Sequence, residues 1–312
     1  MGLLHDGEWE PGAPRDRYDH DTFDDRAEDD PDAEFPAEAG RYHLYLSRAC
    51  PWAHRTALVR RLLGLEDAVG VDVVDPVRRD QGWEFTPEKD GCTPDSVHGS
   101  DKLYELFQRA DPSYTGRVTV PVLYDTATDR IVNEESADIA RLLATAFDRH
   151  RTRAVDLYPA NRRAEIDDAV AEIHSSVNAA VYRAGFADSQ SDYETAVGGL
   201  FDALERWDRT LASRRYALGD RLTLADVVLF PTLYRFDAVY HTHFNCNVRR
   251  LVDFEHLWAY ARDVYATPGV AATCDLDHVT AHYYRSHDDI NPTGLVPLGP
   301  EFDWTAPHDR PK

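Results

Sequence analysis

The sequence is poor in lysine and methionine. Lysine occurs only as Lys89, Lys102 and Lys312, and a single methionine is present. The 56 acidic residues exceed the 34 basic residues, and 14 acids against three arginines in residues 1–40 supply half of the net charge of −22. So negative a chain is a poor electrostatic partner for nucleic acid and for anionic membranes.

An acidic, lysine-poor composition favours adaptation to a salt-rich cytoplasm, where counterions screen the repulsion between surface carboxylates. High-GC codon usage combined with an acidic tail is the alternative explanation. No apolar run approaches the roughly 20 residues that span a bilayer, and residues 1–40 lack the apolar stretch of a secretory signal. We therefore expect a halophilic, cytoplasmic protein without a membrane partner.

Cysteine is also scarce, and no C-x-x-C pair occurs. A disulfide framework is not expected in a cytoplasmic chain of this size, so each cysteine is either buried filler or a reactive thiol. A metal centre is not expected either, because His241 and His243 share no helix face and form no recognised zinc ligand set with Cys246. His278, His282 and His287 lie further downstream, and the remaining cysteines are Cys50, Cys92 and Cys274.

The apolar pattern after residue 40 predicts a strand at Tyr42–Leu46, a helix at Pro51–Leu63 that stops at Gly64, and a strand at 69–74. This strand–helix–strand unit implies a parallel pair with a right-handed crossover. A helix, two strands and a helix are predicted next, at 103–110, 118–124, 130–132 and 135–147. The order is that of a thioredoxin-like domain.

From about residue 160 the pattern is helical, with candidate helices at 162–178, 193–212, 224–239 and 254–266. Thr223 and Asp226 have the spacing of a capping box at the start of the third of these. The predicted fold class is α/β plus all-α, with a thioredoxin-like N-terminal domain and an all-helical C-terminal domain. The predicted segments are a mobile or loosely docked acidic arm (1–38), a thiol-binding domain (39–150), a helical domain (160–285) and an extended, docked tail (286–312).

Cys50 is the strongest candidate for a functional residue. It lies between a predicted strand and a predicted helix, and Pro51 suits the first helical position because its missing N–H has no intrahelical partner there. Cys50 would then be the N-cap, where backbone N–H groups and the helix dipole lower a thiol pKa. Position 53 is alanine, so the predicted chemistry uses one thiol: attack, mixed disulfide, and release by a second small thiol.

Further motifs accompany CPWAHR at 50–55, and together they resemble the xi-class glutathione transferases, the glutathionyl-hydroquinone reductases. The resemblance extends over roughly residues 40–300, and the last two motifs are absent from ordinary glutathione transferases. The motifs are YHLYL at 42–46, GWEF at 82–85, RVTVPV at 117–122, IVNEES at 131–136, NAAVYRAGF at 178–186, RFDAVY at 235–240, HYYRSH at 282–287 and INPTG at 290–294.

The resemblance implies a glutathione transferase fold, a homodimer, and reduction of a quinone-derived glutathione thioether by a small-molecule thiol. It implies that Cys50 is the nucleophile, that Tyr182 donates a proton, and that the hydroxyls of Tyr240 and Tyr283 stabilise the thiolate. The implied thiol-binding residues are Trp83, Arg117, Val118, Thr119, Val120, Glu135 and Ser136. The implied co-substrate is glutathione, and γ-glutamylcysteine is a second candidate in a salt-adapted microbe.

Residue chemistry supports part of this assignment. A cis peptide is plausible at Val120–Pro121, and it would expose the backbone of Val120 to an extended, peptide-like ligand. Glu135 and Ser136 open a helix and suit the α-ammonium and α-carboxylate of a γ-glutamyl group. A plain helix cap explains those two residues equally well, and ordinary packing explains the tyrosines better than a catalytic role.

Two other functional classes remain open at this point. A glutaredoxin-like or dehydroascorbate-type reductase would use the same nucleophile on other substrates. A non-catalytic binding module would keep the fold with an unreactive Cys50 whose pKa stays near about 8.5.

Overall fold

The structure is a computed structural model that describes residues 2–14 and 17–310. Residues 1, 15 and 16 of the predicted arm, and 311 and 312 of the predicted tail, lie outside the described residues. The chain divides into two compact units. The first comprises the residues up to Ala154 together with Asp277–Ser286, and the second comprises Val155–Leu276 together with the residues from His287 onward.

The first unit is built on a mixed four-stranded sheet in the order β4-β3-β5-β6. Strand β3 pairs in parallel with β4, whereas the β3–β5 and β5–β6 pairs are antiparallel. This arrangement confirms the predicted thioredoxin-like domain. Its elements are β1 (Leu3–His5), β2 (Glu8–Glu10), β3 (Tyr42–Leu46), α1 (Pro51–Leu63), β4 (Val69–Val73), α2 (Tyr104–Ala110), β5 (Val122–Asp125), β6 (Arg130–Asn133) and α3 (Ser136–Thr145).

The second unit is helical. The capping box predicted at its third helix is present, with Thr223 as the N-cap and Asp226 at the third helical position. Two π turns interrupt its helices, at His174–Asn178 and Phe236–Tyr240. The α-helices are α4 (Arg163–Ile173), α5 (Ala179–Gly185), α6 (Gln190–Leu211), α7 (Leu224–Arg235), α8 (His241–His243), α9 (Glu255–Ala266) and α10 (Leu276–Ser286), and residues 277–286 of α10 belong to the first unit.

The prediction of a mobile or loosely docked arm at 1–38 needs correction for the residues that the structure describes. Strands β1 and β2 form a hairpin, and Leu3 and Leu4 are fully buried. The backbones of Leu4 and Gly116 exchange two hydrogen bonds. The backbone N–H of Glu134 donates to the Phe23 carbonyl oxygen, and the Phe23 N–H donates to the Glu134 carboxylate. The sequence predicted a loosely docked segment because it is acidic and contains few apolar residues. The few that it has, including Leu3 and Leu4, are enough to dock it.

The predicted boundary between helical domain and tail also differs from the observed one. The helical domain was expected to continue to residue 285, but residues 277–286 belong to the first unit. The histidines and tyrosines of α10 give a weak apolar pattern. The two histidines, His278 and His282, bind loop carbonyls of the first unit rather than a helical face, which explains the difference.

Candidate active site

The start of α1 places Cys50 as the sequence predicts. Cys50 is the N-cap residue in an extended conformation, and Pro51 follows at the first helical position. Its Sγ donates to the carbonyl oxygen of Val120 at 3.5 Å, and the side chain keeps an 8% exposed fraction. A thiol at this position faces the positive end of the helix dipole, which favours the thiolate.

Val120 precedes Pro121 through a cis peptide bond, as the sequence suggested. Val118 and Val120 are buried in the same core cluster as Cys50, whereas Arg117 and Thr119 are partly exposed. The carbonyl oxygen of Arg117 accepts a hydrogen bond from the Tyr114 hydroxyl at 3.2 Å. The segment therefore brings its backbone to the sulfur of Cys50 while its core-facing side chains hold it in place.

The start of α3 lies close to the first turn of α1. Glu135 is the N-cap of α3, and its carboxylate accepts from the backbone N–H of Ala137 at 3.2 Å and from the Ser136 hydroxyl at 3.3 Å. Arg55 is buried, and its Nη1 donates to Ser136 Oγ at 3.2 Å. The capping geometry at Glu135 is thus present, and its exposed side chain leaves room for a ligand role.

Glu134 carries a carboxyl group beside the predicted thiol-binding residues, and no sequence motif had singled it out. Burial raises its pKa to about 7, and the charge of Glu135 adds to this effect. The hydrogen bond from the Phe23 backbone N–H, the charge of Arg117 and the polar Tyr114 hydroxyl nearby act in the opposite direction. The one sequence feature that could have identified Glu134 is that it stands next to a second acid, Glu135, in the motif IVNEES.

Trp83 lies on the long connection between β4 and α2 and is buried. Its indole ring stacks on the imidazole of His282, with centroids 5.2 Å apart and an interplanar angle of 17°. Tyr283, the next residue of α10, is also buried and contacts the His282 ring edge-on at 5.2 Å. Two of the predicted site residues, Trp83 and Tyr283, therefore both contact the His282 ring.

Tyr182 and Tyr240 belong to the second unit, and their rings contact each other with centroids 6.0 Å apart. Tyr182 follows the first π turn by four residues, and Tyr240 closes the second. Phe186, whose exposed fraction is 48%, and Phe244 pack against Tyr182. Since π turns inside α-helices occur frequently at functional sites, these two tyrosines are placed as functional residues often are.

The other three cysteines have environments unlike that of Cys50. Burial raises the pKa of Cys246 and of Cys274 to about 12. Burial also raises the pKa of Cys92, which is partly exposed. A thiol that stays protonated is a poor nucleophile, so these residues fit buried filler, one of the two roles that the sequence allows for a cysteine.

Two of the histidines considered above for a metal centre, His243 and His287, contact each other. His243 Nε2 and His287 Nδ1 are 3.1 Å apart, and burial lowers the pKa of His243 to about 4. Within residues 2–14 and 17–310, no group of three potential ligand side chains is placed to hold a metal ion. In the same part of the chain, no helix has the length and hydropathy needed to cross a bilayer.

A thioredoxin-like unit with a cysteine N-cap and a cis-proline, followed by a helical unit, defines a glutathione transferase fold with a cysteine site. Two family models match accordingly: the glutathione S-transferase N-terminal domain at residues 49–146 and the C-terminal domain at residues 163–263.

The individual relatives narrow the class. The glutathionyl-hydroquinone reductase YqjG of Escherichia coli is 47% identical, and the match covers 88% of this chain and 84% of that protein. The glutathionyl-hydroquinone reductase PcpF of Sphingobium chlorophenolicum is 46% identical, with 96% of each chain covered. The chain belongs to the xi-class glutathione transferases, the family of the glutathionyl-hydroquinone reductases.

Solved structures agree with this assignment. A xi-class glutathione transferase from Natrialba magadii superposes with a TM-score of 0.96 at 53% identity, covering 99% of this chain and 96% of that one. The glutathione-bound structure of YqjG from Escherichia coli gives a TM-score of 0.92 at 44% identity, with 99% of each chain covered.

Proposed function

We propose that this protein reduces glutathionyl-hydroquinones to hydroquinones through a mixed disulfide on Cys50. The observation that carries the proposal is the position of the Cys50 sulfur, at the N-cap of a proline-led helix and 3.5 Å from the carbonyl oxygen that precedes the cis-proline. The names of the YqjG and PcpF relatives point to the same substrate class.

In the first step the Cys50 thiolate attacks the thioether sulfur, a sulfur–sulfur bond forms, and the carbon–sulfur bond breaks. The electron pair stays on the aromatic carbon or its keto tautomer, which takes a proton from Tyr182, the donor that the resemblance implies. In the second step a thiolate attacks the mixed disulfide and restores Cys50. The sum is one glutathionyl-hydroquinone and one glutathione converted to one hydroquinone and one glutathione disulfide.

We assign the binding of the co-substrate thiol to the residues that the resemblance implies. The backbone of Val120 would pair with the cysteinyl part of the thiol, as an added strand would. Glu135 and Ser136 would hold the γ-glutamyl end, with Arg117, Val118 and Thr119 beside them. Trp83 would cover the thiol, and the hydroxyls of Tyr240 and Tyr283 would stabilise the thiolate.

The experiment follows both products of a defined glutathionyl-hydroquinone with the purified protein and with Cys50→Ser. We expect stoichiometric hydroquinone and glutathione disulfide from the parent protein and neither from the variant. Stopping the reaction before the second thiol is added should leave one glutathionyl group on Cys50, measured by mass spectrometry. Faster turnover of a glutathionylated disulfide or of dehydroascorbate than of the thioether would favour the other reductase classes.

Three finer points belong to the same proposal. Salt adaptation rests on the net charge of −22, and activity in high against low KCl tests it. γ-Glutamylcysteine fits the same γ-glutamyl anchors, so turnover with the two thiols at equal concentration identifies the preferred one. The protein is also proposed to be a homodimer, which light scattering tests. Its proposed location is a reducing cytoplasm, where no cysteine need be oxidised.

A further inference from the structure

One face of α10 holds the loop that carries Trp83. His278, His282 and Ser286 are spaced four residues apart and therefore lie on one side of the helix. His278 Nε2 donates to the carbonyl oxygen of Asp90 at 2.7 Å, and His282 Nδ1 donates to that of Pro76 at 2.7 Å. Both ends of the loop from residue 76 to 90 are thus tied to the same helix.

The third residue of this face extends the network to the residues nearest Trp83. Ser286 Oγ accepts from the backbone N–H of Arg78 at 2.9 Å and lies 3.5 Å from His282 Nδ1. The guanidinium of Arg78 lies 5.4 Å from the centre of the Trp83 ring. Backbone hydrogen bonds of a loop that are satisfied by a neighbouring helix fix the position of that loop.

His282 acts on Trp83 in two ways at once. Its Nδ1–H holds the Pro76 carbonyl, and its ring stacks on the indole 5.2 Å away. A hydrogen bond at Nδ1 also fixes the tautomer and the ring orientation. An apolar side chain would supply the stacking surface alone, and an amide would supply the donor alone.

We propose that His282 is a positioning residue of the thiol site, which fixes Trp83 by donating to Pro76 and stacking on the indole. The inference rests on the proposed function in that Trp83 is taken as a thiol-binding residue. It goes beyond it in assigning to α10 the task of holding the Trp83 loop in its binding conformation.

The two contributions of His282 can be separated by substitution. His282→Asn keeps an N–H donor near the Nδ1 position and removes the ring, whereas His282→Phe keeps a ring and removes the donor. His278→Asn is the matched control, because His278 ties the other end of the loop, at Asp90, away from the Pro76 end that His282 holds. Circular dichroism identifies any variant that does not fold, and the others still decide the question.

The first measurement needs no turnover. Amide hydrogen exchange reports local opening, and His282→Phe should speed exchange over residues 76–85 by roughly tenfold, the effect of losing one hydrogen bond. His282→Asn should stay within about twofold of the parent protein, as the retained donor predicts. Unchanged exchange in His282→Phe would overturn the proposed restraint whatever the enzyme turns over.

The second measurement is glutathione affinity, taken by calorimetry in a Cys50→Ser background so that binding is separated from chemistry. Both His282 variants should weaken glutathione by roughly three- to tenfold, and His278→Asn by less than about twofold, since a stacking or hydrogen-bonding loss is of that size. In the parent background the same loss should raise KM for the thiol with kcat little changed. Equal weakening by His278→Asn, or none by His282→Phe, would overturn the assignment. A protein that binds glutathione but releases no hydroquinone would contradict the proposed function instead.

Discussion

The starts of α1 and α7 differ in what faces the backbone N–H groups and the positive end of the helix dipole. At α7, in the second unit, the backbone N–H groups are satisfied by the chain's own side chains, because Thr223 and Asp226 form a capping box. At α1, in the first unit, the N-cap is a cysteine, and its sulfur lies 3.5 Å from the Val120 carbonyl oxygen, to which it donates while it is protonated. A helix N-terminus that is filled by its own cap stabilises the fold, whereas one that begins with a thiol favours an ionised sulfur.

The largest expected effect comes from removing the sulfur at α1. Cys50→Ala should lower turnover of a glutathionyl-hydroquinone by at least about 10³-fold, since no nucleophile remains for the covalent step. The free energy of unfolding should fall by only about 1 kcal/mol, because the substitution removes a single side-chain atom, the sulfur. Hydroquinone release measures the first effect and urea unfolding measures the second. Substantial turnover in the variant would show that the start of α1 does not supply the nucleophile.

The second effect concerns reactivity within one molecule. Iodoacetamide at neutral pH should label Cys50 at least about 10³-fold faster than Cys246, because a thiol with a pKa of about 12 is almost wholly protonated there. Peptide mapping of the alkylated protein measures both rates. Comparable labelling of the two cysteines would mean that the start of α1 confers no special reactivity.

The third effect tests the α7 side of the comparison. Asp226 is fully buried and accepts hydrogen bonds at 2.8 Å from the backbone N–H groups of Ala217 and Thr223 and from the Tyr260 hydroxyl. Asp226→Ala should lower the free energy of unfolding by about 3 kcal/mol, because buried donors lose their acceptor. Specific activity of the folded fraction should be retained.

The matched control for this substitution is Asp220→Ala, which removes an exposed acid from the preceding loop. Its effect on stability should stay below about 0.5 kcal/mol, as for other surface positions. If both variants unfold at the same urea concentration, the capping network at α7 does not stabilise the fold beyond the level of an ordinary surface residue.

The smallest effect concerns the carboxyl group beside the thiol site. The pKa of Glu134 is raised to about 7 by burial, so between about pH 4.5 and 7 the folded state binds a proton that the unfolded state releases. The stability that this proton confers is complete at low pH and is lost as the pH rises through 7. Glu134→Gln should remove that loss, which is up to about 2.7 kcal/mol between pH 5 and 7, at about 1.36 kcal/mol per pH unit.

Urea unfolding of the parent protein and Glu134→Gln at pH 5, 6, 7 and 8 measures the difference directly. Contributions from other groups are common to both proteins and cancel. The variant should gain relative stability from pH 5 to about 7 and little beyond it. Parallel curves for the two proteins would show that the pKa of Glu134 is not raised.

Much of the fold could be predicted because its elements follow local rules. The apolar period, the Pro51 start and the Gly64 stop define α1, and the capping box defines the start of α7. The docked arm was missed although a local signal existed. Asp6 and Gly7 form the two-residue turn of the β1–β2 hairpin, both with positive φ, and an Asp-Gly pair is a strong hairpin signal.

The site was predictable to a smaller extent. Cys50 could be identified from the proline behind it, because the chemistry of an N-cap is local. The environments of Glu134 and His282 could not, because each depends on partners distant in sequence: Phe23 for Glu134, and Pro76 and Trp83 for His282. Loop carbonyls that meet a helix face leave no periodic pattern in the sequence.

The two π turns have a consequence for protein engineering. A π turn holds one residue more than the α-helical repeat, and each residue of a helix turns the chain by about 100°. Because the π turn takes up that extra residue within a single turn, deleting one residue from His174–Asn178 should restore an α-helical turn and leave the direction of the downstream helix face, including the Tyr182 ring, nearly unchanged. The π turn therefore allows the chain to hold one extra residue before Tyr182 without turning the ring to another face of the helix.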